Sequence, residues 1–125
     1  MRFLMIDDCP GRYDEFTRLL DKNGDSWVIT FNYDIVWTLL CHQKIDVIML
    51  DHDMPIRNGR EWVKFFAETG RKIPIIITST TSLPNAREEM LDTLTKAGIR
   101  AIMNPADHSD CEKEWYWWAK GVAGG

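Results

Sequence analysis

The sequence has no long apolar run, no excess of positive charge and few cysteines, and each shortage removes a class of protein. No stretch approaches the roughly 18 uninterrupted apolar residues of a membrane-spanning helix. The opening Met1-Arg2-Phe3-Leu4-Met5-Ile6 reaches Asp7 and Asp8 too soon for the apolar region of a signal peptide, so a cytoplasmic location is expected. Fifteen Lys and Arg stand against 19 Asp and Glu, for a net charge of −4 and a pI near 5.3. Nucleic acid and anionic membrane surfaces, which call for a basic patch, are therefore not expected as partners. Three cysteines (Cys9, Cys41 and Cys111) show no zinc-ligand spacing, and their odd number leaves one unpaired, so reduced thiols are expected. No repeat, linker or low-complexity tract interrupts the chain.

What is there is ordinary globular material: 45% hydrophobic and 27% charged residues over 125 positions, the length of one domain. Folding such a chain buries about two-thirds of its surface, enough for a core without disulfide or metal. Five short apolar runs, at residues 3–6, 27–31, 45–50, 73–77 and 101–103, read as strands. Three are rich in Ile and Val with few polar interruptions, as parallel strands covered on both faces require. Between them apolar residues recur at helical spacing: Tyr13, Phe16, Leu20; Ile35, Val36, Leu39, Leu40; Trp62, Val63, Phe66; Met90, Leu91, Leu94; Cys111, Trp115, Trp118. Asn23-Gly24, Gly70 and Gly98 mark helix ends, and Asn85 with Glu88 and Ser109 with Glu112 read as capping boxes. The alternation predicts a single α/β domain over residues 1–121, a doubly wound five-stranded parallel sheet with the third strand central, and a short flexible tail at 122–125.

Such a sheet places its functional groups at the carboxyl ends of the strands. Asp7-Asp8 follow the first strand, Asp51-His52-Asp53 the third, Thr78-Ser79-Thr80-Thr81 the fourth and Asn104-Pro105 the fifth. Carboxylates 4–5 Å apart repel by roughly 3–4 kcal/mol at an effective dielectric of 20. The cluster therefore needs protonation or a counter-charge, and an oxygen-rich, partly wet mouth suits Mg²⁺.

These residues carry a resemblance. Asp7-Asp8, the string Asp51-His52-Asp53-Met54-Pro55-Ile56-Arg57-Asn58-Gly59, and Thr78 after Ile75-Ile76-Ile77 resemble a response-regulator receiver (CheY-like) domain over the whole chain. The Met-Pro and Asn-Gly pairs stand at the family's offsets from the acceptor aspartate. The resemblance implies a flavodoxin-like (βα)5 fold with strand order 2-1-3-4-5, and a stand-alone switch acting through protein contacts rather than an enzyme. Asp51 would accept a phosphoryl group from a histidine kinase or phosphotransfer protein. Asp7, Asp8, Asp51 and the backbone carbonyl of Asp53 would bind Mg²⁺, and Thr78 would be the switch hydroxyl. The face made by the fourth helix, fifth strand and fifth helix would meet a partner or a second copy.

The sequence departs from that pattern at two positions. Asn104 stands where receivers carry a lysine, and Ala101 where they carry the switch aromatic. Arg57, Arg60 and Arg87 are the candidates to supply the missing charge. A second resemblance, to a cyclic-phosphate-processing receiver-like branch, rests on Asp51-His52-Asp53 and on Pro84-Asn85-Ala86-Arg87-Glu88-Glu89-Met90; it implies a phosphoesterase with His52 as acid-base group. A phosphorylation-independent pseudo-receiver scaffold is the remaining alternative. On the main reading His52 is expected to face solvent. His42 ends a helix where a cation suits the dipole. In the fifth helix Trp115 and Trp118 are expected in the core, with Tyr116 and Trp117 pointing elsewhere, as at an interface.

Overall fold

The computed structural model describes residues 1–78, 83, 85–103 and 111–124, the backbone only for 111–113 and 124. Asn104, Pro105, His108, Ser109 and the hydroxyls at 79–81 lie outside the described residues, as does the expected capping box at Ser109. The elements are β1 (Arg2–Ile6), a 3₁₀ turn (Pro10–Tyr13), α1 (Asp14–Lys22), β2 (Ser26–Thr30), α2 (Tyr33–His42), β3 (Val47–Leu50), α3 (Gly59–Thr69), β4 (Ile75–Ile77), α4 (Ala86–Lys96), β5 (Ala101–Met103) and α5 (Cys111–Gly124). All strand pairs are parallel, in the order β2-β1-β3-β4-β5, so β3 is central as its unbroken Val-Ile-Met-Leu run requires.

Because side chains alternate across a strand, the sheet feeds two cores. Leu4, Ile6, Ile48, Leu50, Ile75 and Ile77 pack with α2, α3 and α4 through Val36, Leu40, Trp62, Phe66, Met90 and Leu94. Phe3, Met5, Val47, Met49 and Ile76 pack on the opposite face with Tyr13, Phe16, Leu20, Trp115 and Ala119. Each fully buried large side chain contributes about 1.5–3 kcal/mol, so a single truncation such as Leu50→Ala removes a sizeable part of the stability of a domain this size.

Register positions the site. Ile6 pairs with Leu50, and Leu50 with Ile77, so the row formed by these three ends together. The next residue on each strand is Asp7, Asp51 and Thr78. The amide of Asp51 donates to the Ile6 carbonyl at 3.1 Å and that of Thr78 to the Leu50 carbonyl at 2.9 Å, which holds the three at one level.

Several local expectations are corrected. Ile45 and Asp46 precede β3, and Ile73 and Pro74 precede β4: proline lacks the ladder donor, and the Pro74 carbonyl only accepts from Ile48. Phe31 falls beyond β2 and is exposed. Ile35, counted on the apolar face of α2, is exposed as well, while Val36 and Leu40 are buried. Asn85 caps α4 in the left-handed region (φ 60°) and makes no side-chain cap bond, so the box with Glu88 does not form. A capping box forms instead at Asn58 and Glu61, opening α3. Tyr116 is buried beside Trp115, because the inward stripe of α5 runs through 115, 116 and 119. Trp118 is half-buried and Trp117 exposed. The last helix runs to Gly124, with Val122 and Ala123 half-buried. Among the described residues no helix is long and apolar enough to cross a membrane.

Candidate functional site

The mouth is built where β1, β3 and β4 end. Asp7, Asp51 and Thr78 are buried there, and Asp8 is half-buried. After Asp8 the chain turns at once: Pro10 opens a 3₁₀ turn, and the Cys9 amide donates to Asp7 Oδ1 at 2.9 Å. That turn swings the next two side chains back over the mouth. Arg12 Nη1 donates to Asp7 Oδ2 at 2.7 Å and lies 3.3 Å from Asp51 Oδ1, while Nη2 donates to the Thr78 carbonyl at 2.9 Å. The Tyr13 hydroxyl lies 2.9 Å from Asp7 Oδ2 and 3.0 Å from Thr78 Oγ1.

The electrostatics follow from burial. Burial, then the Asp51 charge, pushes the Asp7 carboxyl above its ordinary range, against the pull of the Cys9 amide, Arg12 and Tyr13. Burial, then the Asp7 charge, pushes the Tyr13 phenol far up, so it keeps its proton. It therefore donates to Asp7 and accepts from Thr78, a directed chain of hydrogen bonds from Thr78 to Tyr13 to Asp7. Burial works against the Arg12 charge, but Asp7 and Asp51 more than restore it and the guanidinium stays ionised.

Arg12 and Tyr13 are the side chains at the mouth that strand-end reading misses, since neither follows a strand. The available signal was Pro10 two residues after the Asp pair: a helix beginning there returns its first turn to the strand end. Of the arginines singled out from sequence, Arg57 lines the cavity beside Asp7 and Asp8. Arg57 lies over the Tyr33 ring at 4.1 Å and near Trp62, and Arg60 bridges to Glu89 at 3.0 Å, tying α3 to α4. Arg87 stands in the first turn of α4.

Asp51 is held from below. The Gly59 amide donates to the His52 carbonyl at 2.9 Å, and a Cβ at Gly59 would fall 2.7 Å from the Asp51 carbonyl oxygen and 2.8 Å from His52 Cα. The helix thus opens directly on the backbone that carries Asp51, which explains a glycine there. Between them Ile56 takes a left-handed backbone (φ 69°), a conformation that costs a β-branched residue about 1–3 kcal/mol. His52 does not face solvent. It is buried, with Nδ1 2.8 Å from the exposed Asp53 carboxylate and Nε2 without a hydrogen-bond partner among the described residues. Ala101 is half-buried at the start of β5.

Donor atoms of Asp7, Asp8 and Cys9 lie within 4.8 Å of one another. The two carboxylates are the hard ligands that Mg²⁺ takes. The Asp8 charge, above all, pushes the Cys9 thiol above its ordinary range in the metal-free protein. Asp51 stands outside that group and meets Asp7 through Arg12. A cavity of about 590 Å³ opens beside Asp7 and Asp8, lined also by Phe31, Tyr33, Ile56 and Arg57.

Known structures share this architecture. The chain is similar to the receiver domain of a Francisella response regulator, with 20% identity, TM-score 0.74, and 98% of this chain and 96% of the other covered. It is similar also to the receiver domain of a Pseudomonas aeruginosa sensor histidine kinase, solved with magnesium coordinated in its active-site cleft (20% identity, TM-score 0.71, 99% and 98% covered). A third is the response regulator TrrA of Thermotoga maritima in complex with Mg²⁺-BeF (19% identity, TM-score 0.66, 94% and 97% covered). No curated protein sequence is significantly similar to the chain. The family model of the response regulator receiver domain matches residues 3–104, most of the chain, and with the strand order and the aspartates at the strand ends it shows that the chain belongs to the response regulator receiver domain family.

Proposed function

We propose that the chain is a Mg²⁺-dependent phosphoryl acceptor whose acceptor is Asp51, charged by a histidine kinase, a phosphotransfer protein or a small acyl phosphate. The observation that supports this reading is the convergence of Asp7, Asp51 and Thr78 on one mouth, where a guanidinium meets both buried carboxylates in the absence of metal. Asp51 supplies a carboxylate oxygen that attacks phosphorus in line; the donor's leaving group departs with its electron pair, and an acyl phosphate remains on Asp51. Asp7 and Asp8, with Asp51 and the carbonyl of Asp53, would hold the metal, which when bound neutralises charge on the phosphoryl oxygens. Thr78 holds a hydroxyl proton that can turn from Tyr13 toward a phosphoryl oxygen, and the buried floor of β-strand ends keeps water from the acyl bond. Asn104 offers an amide donor where a lysine would offer a charge, so the reading includes a weak conformational response, relayed through α4, β5 and α5 to a protein partner or a second copy. Trp117, 72% exposed, lies on α5.

The test is incubation with acetyl phosphate and Mg²⁺ followed by intact mass. The wild type is expected to gain one phosphoryl group, and Asp51→Asn none. Asn104→Lys is expected to raise the yield. A wild type that stays unmodified and is silent to beryllofluoride in its NMR spectrum overturns the acceptor reading.

A further inference from the structure

We propose that Arg12 is a resident counter-cation of the acidic mouth, which a divalent ion must displace in order to bind, and whose departure frees the carbonyl of Thr78. The inference deepens the proposed function and rests on its metal site. It starts from position. One nitrogen, Nη1, is shared by Asp7 Oδ2 at 2.7 Å and Asp51 Oδ1 at 3.3 Å, the two buried carboxylates of the site. Mg²⁺ binds carboxylate oxygens at about 2.0–2.1 Å. An ion held by these same oxygens would share them with the guanidinium nitrogen, so the two cations compete for the same lone pairs and repel one another.

The fork geometry adds a consequence. Nη2 of the same guanidinium donates to the carbonyl of Thr78, so Arg12 fastens the ends of β1, β3 and β4 together. Losing that contact alters the carboxyl end of β4, while Tyr13 continues to join Asp7 to the Thr78 hydroxyl. The exit is open: the Arg12 side chain is 35% exposed, and it stands on a single 3₁₀ turn rather than inside a long helix. Among the described residues its ion pairs are with Asp7 and Asp51 alone. A guanidinium is a good occupant of such a place because it is weakly hydrated and never loses its charge. Arg12 is thus a positioning residue: it sets the threshold at which the metal enters and couples that entry to β4.

The experiment is calorimetric titration of Mg²⁺ into metal-free wild type, Arg12→Gln and Arg57→Gln, with an NMR titration of the wild type following the arginine Nε–Hε signals. Arg12→Gln is expected to bind Mg²⁺ at least about tenfold more tightly than the wild type. Arg57→Gln removes an equal charge from the wall of the adjoining cavity and is expected to change affinity less than about threefold. The Arg12 Nε–Hε resonance is expected to move with the same midpoint as the calorimetric isotherm, a readout that does not depend on any variant folding. Equal Mg²⁺ affinity in wild type and Arg12→Gln, or an equal gain in Arg57→Gln, or an Arg12 signal that stays fixed while Mg²⁺ saturates the site, overturns the inference alone. Absence of Mg²⁺ binding in wild type and Arg12→Gln alike overturns it together with the metal part of the proposed function.

Discussion

At the scale of single residues the site is a balance of charge under burial. Asp7 and Asp51 are buried beside one another with Asp8 at their edge, and among the described residues one guanidinium pairs with them, so among these groups negative charge is in excess. The raised pKa of Asp7 makes this excess a statement about stability. Between the ordinary carboxyl value of 3.8 and its higher folded value, the folded state keeps a proton that the unfolded chain has released. Stability attributable to Asp7 therefore falls as pH rises through that window, and above it the penalty is complete. Asp51→Asn removes the charge that, after burial, raises Asp7 most. It is expected to stabilise the metal-free protein by about 1 kcal/mol near neutrality, since one pKa unit corresponds to 1.36 kcal/mol, and to gain less toward pH 4. Urea denaturation of wild type and variant at intervals from pH 4 to pH 7, in chelator, gives both numbers; a variant less stable at every pH would show that the ion pair with Arg12 outweighs the repulsion. Arg12 and Tyr13 were not legible from sequence because their roles come from a turn: Tyr13 has the period of a core residue and is one, and only its hydroxyl enters the site.

At the scale of elements, the loop from β3 to α3 shows why a motif holds its residues. Asn58 caps α3 with Glu61 in a reciprocal box, which fixes the first turn, and Gly59 lets that turn rest on the backbone of Asp51 and His52. A methyl group at Gly59 meets backbone atoms at 2.7 and 2.8 Å as well as the movable end of Met90, so the neighbours cannot all give way. Gly59→Ala is expected to cost about 1–3 kcal/mol, the range of an overpacked core, and to lower phosphoryl transfer to Asp51 as the loop shifts. Thermal denaturation with a beryllofluoride titration separates the two effects, and a variant as stable as wild type would mean that the loop relaxes freely. This loop was half legible: the Asn-Gly pair was read as part of a resemblance, yet the capping box it forms was expected at Asn85 instead. A box depends on the backbone of the cap residue being extended, as at Asn58 (φ −82°, ψ 175°), and at Asn85 the backbone is left-handed. Side-chain type alone does not tell the two apart.

At the scale of the whole molecule, α5 is fastened to the opposite end of the sheet from the site. Asp25, buried immediately before β2, accepts from the Lys120 ammonium at 2.9 Å and from the Met1 amine at 2.8 Å through the same oxygen. Burial works against its charge, but these donors with Tyr116 outweigh it and hold the Asp25 carboxyl below its ordinary range. The stability this contributes is present above about pH 3.8 and lost as pH falls through the folded value. Lys120→Met, which keeps an unbranched stem but removes the ammonium that pairs with Asp25 and lies over the Tyr116 ring at 5.1 Å, is expected to cost about 1 kcal/mol and to speed amide exchange in α5 more than in α3. Uniform exchange in the two helices would show that the clamp does not hold α5 in particular. Sequence by itself determined the alternation of five strands and helices, the central place of β3 and the aspartates at the strand ends, because these depend on period and on the residue next in line. The tertiary structure decided which charge answers those aspartates. That depends on the register of Ile6, Leu50 and Ile77, which brings Asp7, Asp51 and Thr78 to one level, and on the turn after Asp8, which returns Arg12 across 66 residues of sequence to the Thr78 carbonyl. Electrostatic partnership is a matter of distance in space: Pro10 marks the turn in the sequence, but which charges that turn brings together is set only by the folded sheet.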